Sequence, residues 1–291
     1  MASDSVFLAY SYAKINLGLF VRERLPNGYH DIETGFAFID WSDRLEVRRA
    51  AETRIECSDP AVPTGKENLI VKAIQAFHKR FGTSGYFSVK LDKHIPAGAG
   101  LGGGSSNAAT MLRLLSRIYE RDIPLNELAA LGATLGADVP VFIRAQPAIG
   151  TGTGTELRRA DIQPDYFIVT VWPGIHSGTA EAYAGCEPAG PPDVPLAELS
   201  EYDADEWNYL LRNDLEPGTI ARYPQIGNLK DQFYDMGAAF AAMSGSGSAV
   251  FGIFEQEFTA LESYQYLLQL DYRAKITPPG FKPDHGIYLK G

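Results

Sequence analysis

Between Pro96 and Asn107 the chain reads Pro-Ala-Gly-Ala-Gly-Leu-Gly-Gly-Gly-Ser-Ser-Asn, with five glycines in the seven positions from Gly98 to Gly104. Glycine backbone reaches positive φ and approaches a ligand with no Cβ in the way. Ser105, Ser106 and Asn107 follow, the residue types that cap a helix N-terminus, so the run points to a loop whose free N–H groups bind an anion, phosphate above all. Gly98, Gly100 and Gly103 also satisfy the dinucleotide pattern G-x-G-x-x-G. The acidic residue near the required distance, Asp122, falls between two helical patterns rather than at the end of a strand, which argues against that reading. A P-loop is excluded, because Gly104 stands where G-x-x-x-x-G-K-[ST] needs lysine.

Three further places carry reactive or recognising groups. Lys14 and Asn16 share one face of an alternating stretch, about 6–7 Å apart, either addressing one substrate or forming a solvated strand face. Tyr29 and His30 follow the turn residues Pro26, Asn27 and Gly28; such a pair suits stacking on a base and reading its edge, and equally suits packing. Asp138 lies between Gly136-Ala137 and the apolar Val139-Pro140-Val141-Phe142. A carboxylate partly buried there needs a cationic or hydrogen-bonding partner, for which Lys14 is the candidate; as a bare pattern Gly-Ala-Asp also reads as a helix-ending turn.

Several elements must position these groups. Ala13, Ile15, Leu17, Leu19 and Val21 alternate with polar or small residues, predicting a strand that carries Lys14 and Asn16. Phe36 to Val47 reads as one or two strands with a turn at Trp41-Ser42-Asp43, and no chemistry is apparent there. Ile70, Ala73, Ile74, Phe77 and Phe81 give a helix from Asn68 that stops at Gly82. A strand through Phe87, Val89 and Leu91 feeds the glycine loop, and Ala108, Met111, Leu112, Leu115 and Ile118 make the loop open a helix. A second helix spans Pro124 to Leu135, and the segment from Gly136 to Ile143 is expected to run into a strand. Gly150 to Gly154 marks a turn or a domain junction, and Tyr166 to Trp172 is an apolar strand ending at Pro173-Gly174. Strand, glycine loop and strand follow from Ala238 to Phe254, then a helix and strand to Lys275; the tail to Gly291 carries no pattern.

The whole chain bounds the function. Its 291 residues suit two modest domains, and 45% hydrophobic with 21% charged residues is a globular composition. The net charge of −10 argues against nucleic acid or an anionic membrane as partner, so a polyanionic ligand must be met by local groups. Cys57 and Cys186 form no C-x-x-C, suggesting neither disulfide scaffold nor thiolate metal site and fitting a reducing cytoplasm. Met1 to Ser5 shows no leader and no stretch reaches eighteen apolar residues, so a soluble, unexported protein is expected.

The glycine loop resembles the P-x-x-x-G-L-G-x-x-S-S motif of the GHMP kinases, and its fuller form G-L-G-G-G-S-S-N is similar to that of one branch, the diphosphocytidyl-methylerythritol kinases. Other segments agree with that branch: Ala13-Lys14-Ile15-Asn16-Leu17-Gly18-Leu19, Pro26-Asn27-Gly28-Tyr29-His30, Glu67-Asn68-Leu69-Ile70, Gly136-Ala137-Asp138-Val139-Pro140 and Asn213-Asp214-Leu215-Glu216. Ser244-Gly245-Ser246-Gly247-Ser248 resembles the third superfamily motif, although Met243 and Ser244 replace its leading glycines.

The resemblance implies an α+β GHMP kinase fold, with an N-terminal domain like ribosomal protein S5 domain 2 over 1–160 and a ferredoxin-like C-terminal domain over 161–291. It implies ATP and Mg²⁺ as cofactors and a cytidine-diphosphate-linked methylerythritol as small-molecule substrate, phosphorylated at its 2-hydroxyl. Asp138 would be the catalytic base, with Lys14 beside it. Asn68, Lys93 and the run Pro96, Ala97, Gly98, Ala99, Gly100, Leu101, Gly102, Gly103, Gly104, Ser105 and Ser106 would hold ATP. Asn16, Tyr29, His30, Tyr183, Gly245 and Ser246 would hold the substrate, with Tyr29 and Tyr183 sandwiching its cytosine. No acidic metal ligand stands out; Ser105 or Ser106 offers a hydroxyl. A sibling kinase acting on mevalonate, homoserine or a sugar is the alternative, and it would need no pyrimidine site. The sequence leaves monomer and dimer both open.

Overall fold

A computed structural model describes residues 5–290; residues 1–4, part of the segment read above for a leader, and Gly291 lie outside them. Strands β1 (Val6–Arg24), β2 (His30–Ala50), β3 (Arg54–Cys57), β4 (Tyr86–Asp92), β5 (Ala148–Thr151) and β6 (Glu156–Arg159) belong to one sheet. A second sheet holds β7 (Phe167–Trp172), β8 (Phe240–Met243), β9 (Val250–Phe254) and β10 (Arg273–Thr277). The patternless tail supplies β11 (Ile287–Lys290), which returns to the first sheet antiparallel to β1.

The first sheet runs in the order β11-β1-β2-β4-β3, with β5 joining β2 to β6, and only β3 and β4 pair in parallel. Phe36, Phe38, Leu45 and Val47 of β2 pack on helices α1 (Leu69–Phe81), α2 (Gly103–Ile118), α3 (Leu125–Ala133) and α4 (Val139–Arg144). Ala13, Ile15, Leu17, Ala37 and Ile39 face the other way, onto Ile168, Phe251 and Ile253 of the second sheet. Period-two alternation therefore gives each face its own core, and leaves Lys14 and Asn16 on the helix side.

Short helices α5 (Thr179–Ala184), α6 (Trp207–Leu210) and α7 (Glu216–Arg222) precede α8 (Pro224–Asp235), and α9 (Glu257–Gln269) follows β9. The outer face of the second sheet, through Val169, Val171, Met243 and Val250, packs on Leu229 and Phe233 of α8 and on Ala260 and Leu267 of α9. With sheet order β10-β7-β9-β8, all antiparallel, and the succession β7, α8, β8, β9, α9, β10, this half has the split β-α-β topology of ferredoxin-like folds. The result is four layers, helices, sheet, sheet, helices, and the α+β class holds.

Three local expectations need correction. Trp41-Ser42-Asp43 is no turn: β2 runs through it as one strand, and the register jumps so that Ser42 opposes Tyr12 while Ile39 opposes Ala13, a bulge. The apolar run Val139-Pro140-Val141-Phe142-Ile143 forms α4, not a strand. It is buried all round, which erases the periodicity that tells helix from strand, and Pro140 is tolerated in the first turn. Ser105, Ser106 and Asn107 do not cap α2, since the helix starts at Gly103 and its N-cap is Gly102, in the left-handed region at φ 70°. Asn68 caps α1, its side chain accepting from Ile70 N, and Gly82 closes that helix at φ 62°. Gly150 to Gly154 lies in the β5–β6 hairpin.

Candidate active site

The glycine loop is held by its carbonyls. Gly98 O accepts from Ser177 N at 3.2 Å, Ala99 O from Ala249 N at 3.0 Å, and Leu101 O from Lys14 N at 3.1 Å. Gly100 O accepts from Lys14 Nζ at 2.9 Å and Ser244 Oγ at 3.1 Å, and Gly102 O from Ser106 N at 2.9 Å. In a trans peptide the next N–H lies opposite the carbonyl, so the N–H groups from Ala99 to Gly103 turn away from these anchors. The unpaired N–H groups that open α2 continue the same donor-rich run. Close packing demands glycine here: a Cβ on Gly100 would lie 2.0 Å from Ser244 O, and one on Gly102 would meet the Phe142 ring at 2.6 Å.

Pro96 to Gly100 and Gly102 to Ser105 form one wall of a cavity of about 780 Å³. Leu101 faces the core instead, and Ser106 turns its hydroxyl onto Tyr12 O at 2.7 Å. Lys14 and Asn16, buried at the floor with Thr34 and Phe36, reach the cavity from β1 and β2. Ser177, Thr179 and Tyr183 around α5 also line the cavity, with Gly245 and Ser246 from the β8–β9 loop. Thr179 and Ser246 hydroxyls lie 3.1 Å apart, and Ser177 Oγ donates to Ser246 O at 2.8 Å.

Lys14 meets only acceptors: Asn16 Oδ1 at 2.5 Å, Gly100 O at 2.9 Å and Asp138 Oδ2 at 3.5 Å. Three oxygens around three N–H donors fix the direction of the side chain. Asp138 occupies the N-cap position of α4, yet its side chain makes no cap hydrogen bond among the described residues and is 33% exposed. One carboxylate thus combines a cation beside it with access to the cavity.

Tyr29 and His30 also line the cavity, with Tyr29 66% exposed. Tyr183 stacks on His30, ring centroids 5.1 Å apart and planes at 25°, which leaves no room for a base between those two rings. Burial, then the Asp138 carboxylate, pushes the Tyr183 phenol above its ordinary value, and burial with Arg24 nearby pulls His30 down.

Asn68 and Lys93 do not line the cavity. Asn68 is spent on capping α1 and donates to Pro63 O at 2.6 Å. Lys93 pairs with Asp43 at 2.8 Å, both buried, and also donates to Ile95 O. Asp43 further accepts from His94 N, Ile95 N and Asn107 Nδ2, each at 2.8 Å, and so ties the β2 bulge to the strand before the loop and the helix after it. Ser177 and Thr179 belong to the run from Ile175 to Tyr183 that the family resemblance implies lines the substrate site, whereas sequence reasoning passed over Thr34 and read Asp43 only as part of a turn; an aspartate inside a strand pattern was the one local signal for the latter.

The GHMP kinases N terminal domain family matches residues 68–146, and the GHMP kinases C terminal family matches residues 196–273. A 4-diphosphocytidyl-2-C-methyl-D-erythritol kinase of Pelodictyon phaeoclathratiforme is 39% identical over 280 residues, covering 94% of this chain and 97% of that protein. One of the same name from Parabacteroides distasonis is 41% identical over 253 residues, covering 86% and 92%. A crystal structure of 4-(cytidine 5'-diphospho)-2C-methyl-D-erythritol kinase superposes with a TM-score of 0.79 at 33% identity, covering 93% of this chain and 98% of that one. Homoserine kinase from Cytophaga hutchinsonii, at 14% identity and a TM-score of 0.71 over 100% and 98%, shares the fold. With relatives this similar over nearly its whole length, the chain belongs to the GHMP kinases, among the 4-diphosphocytidyl-2-C-methyl-D-erythritol kinases.

Proposed function

We propose that this chain transfers the γ-phosphoryl group of ATP to the 2-hydroxyl of 4-diphosphocytidyl-2-C-methyl-D-erythritol, giving the 2-phosphate and ADP on the non-mevalonate route to isopentenyl diphosphate. The observation that carries the reading is one cavity in which a donor-rich loop, the Lys14–Asp138 pair at 3.5 Å and an aromatic end with Tyr29, His30 and Tyr183 lie together. A phosphoanhydride, an alcohol and a pyrimidine each find their chemistry there.

Asp138 accepts the hydroxyl proton as the alcohol oxygen attacks phosphorus. The O–H bond breaks, an O–P bond forms, and the bond from the γ-phosphorus to the β-bridging oxygen breaks to release ADP. Lys14, rigid on β1 and held by Asn16 and Gly100, fixes Asp138 and offsets charge developing on the transferring oxygens. Loop N–H groups hold the phosphates without moving, because their carbonyls are anchored behind. Gly245 and Ser246, with Thr179, face the diphosphate of the substrate. Tyr29 offers the exposed ring for the cytosine, with the stacked His30–Tyr183 pair beside it.

Magnesium fits as an ion carried in on the phosphates. No group of three His, Cys, Asp or Glu gathers among the described residues, so a protein-built cage is not offered. Ser105, which lines the cavity, has the hydroxyl that would hold the ion beside the phosphates, and the ion would supply charge neutralisation. We assign the ATP side to a domain over 1–160 and the substrate side to 161–291, with β11 crossing back onto the first. We place the reaction in the cytoplasm, on free Cys57 and Cys186; among the described residues no helix is long and apolar enough to cross a membrane.

A coupled assay of ADP release tests this. Turnover with the diphosphocytidyl substrate, competed by CDP, and none with mevalonate, homoserine or galactose is the expected result. ATP turnover with one of those three instead would overturn the assignment.

A further inference from the structure

Lys14 is oriented by a chain of buried polar groups whose donor and acceptor roles admit one solution. Gly18 has no partner across the β1–β2 ladder, where the register shifts between Leu17 and Leu19, and its carbonyl is thereby left free of the sheet. Thr34, fully buried on β2, places Oγ1 2.6 Å from that oxygen and 2.9 Å from Asn16 Nδ2. A carbonyl oxygen only accepts, so the single hydroxyl hydrogen of Thr34 goes to Gly18. Thr34 Oγ1 must then receive its second hydrogen bond, and only the NH₂ end of Asn16 can give it. The amide is locked with Oδ1 on the opposite side, 2.5 Å from Lys14 Nζ. A flipped Asn16 would point two N–H donors at an ammonium group that has none but donors itself.

We propose that Thr34 is a positioning residue for phosphoryl transfer: anchored on the Gly18 carbonyl, its hydroxyl sets the amide orientation of Asn16 and so holds the Lys14 ammonium against Asp138. The proposal rests on the roles given above to Lys14 and Asp138. It also constrains Asn16, whose Oδ1 serves Lys14 and whose remaining Nδ2 hydrogen is the one left for substrate. Thr34 touches neither the glycine loop N–H groups nor the loop's anchors, so its removal should act on turnover rather than on ATP capture.

Thr34→Val keeps the shape and deletes the hydroxyl, and Thr34→Ser restores it. Measured per ATP-binding site, kcat of Thr34→Val should fall about 10- to 100-fold, the effect of orphaning one member of a buried polar chain, while KM for ATP stays within about twofold. Thr34→Ser should recover most of the loss. A purely structural role would lower the melting temperature and the number of competent sites and leave kcat per site unchanged. If Thr34→Val fails to fold, Thr34→Ala is read the same way. Parent-like kcat in a folded Val or Ala variant, or a serine variant as slow as either, overturns the proposal. Failure of the underlying reading looks different, because the parent protein itself would then not phosphorylate the diphosphocytidyl substrate.

Discussion

Replacing Gly100 by alanine asks whether the conformation of the glycine loop, beyond its composition, holds the site together. Three glycines separate the contributing effects. Gly104 sits in the first turn of α2 without positive φ, and a Cβ there would find its nearest neighbour, Leu69 Cδ1, at 3.7 Å. Gly28 has φ +84° and nothing within 4 Å among the described residues, so alanine meets backbone strain alone, about 1–2 kcal/mol. Gly100 combines φ +77° with a Cβ position 2.0 Å from Ser244 O, a backbone atom that cannot rotate aside. Relief requires a shift of roughly 1 Å, enough to break the bonds that Lys14 Nζ and Ser244 Oγ make to the Gly100 carbonyl. Losing a charge-assisted bond at about 1.5–3 kcal/mol and a neutral one at about 0.5–1.5 adds to the strain, for about 3–6 kcal/mol in all. Urea unfolding should therefore rank the variants Gly104→Ala at or above the parent, Gly28→Ala slightly below, and Gly100→Ala far below. ADP release should fall with Gly100→Ala at saturating ATP, because Lys14 loses an anchor. A Gly100→Ala protein as stable as Gly28→Ala would refute the claim that the loop is clamped between the two sheets.

Asp138→Asn should bind ATP within a few-fold of the parent in an equilibrium titration while turnover drops by about two to four orders of magnitude, the range for a general base; near-normal turnover would remove Asp138 from that role. Asp43→Ala strands the buried Lys93 ammonium and should cost about 3–5 kcal/mol in denaturant unfolding, and adding Lys93→Met should recover much of that loss. His285, whose Nε2 has no partner among the described residues, is held down to about 4, first by burial and then by the Arg113 guanidinium. The unfolded chain takes up this proton near pH 6.5 and the folded chain does not, so stability should decline as pH falls from about 6.5 towards 4, by on the order of 2–3 kcal/mol. His285→Phe should flatten that part of the pH–stability curve, and an unchanged slope would assign it to other groups.

Local signals were enough for the elements whose two faces differ. The alternation at Ala13 to Val21, the helical spacing from Ile70 to Phe81 and the αL stop at Gly82 all survive, because residue types follow the period of each element even in β1, where Lys14 and Asn16 are buried like their apolar neighbours. The same rule explains the failures. Val139 to Ile143 is buried on every side, so no period remained to show a helix. Around Trp41 the chain keeps its strand by a bulge, and Trp41 and Asp43, both buried, stand where turn composition suggested exposure. The return of β11 beside β1 was invisible, since a four-residue strand is specified by the edge it pairs with rather than by its own sequence.

The site was legible as a set of residue types but not as a geometry. Gly98 to Gly100, Gly102 to Ser105, Lys14 and Asp138 converge on one cavity, while Asn68, drawn from an equally specific motif, and Lys93, placed just before the loop, spend their polar atoms on the scaffold. A motif records which residues a fold requires together; it does not separate the group that touches a ligand from the group that holds its neighbour still. That distinction lies in hydrogen-bond partners, and partners here come from far along the chain: Gly100 O draws on Lys14 and Ser244, and Asp43 draws on Lys93 and Asn107. In a chain of net charge −10 that must receive phosphates, such buried anchors matter more than any surface field. The net charge does not favour the approach of an anion, so the anion must be won at contact distance, by N–H groups and one ammonium that are already in place when it arrives.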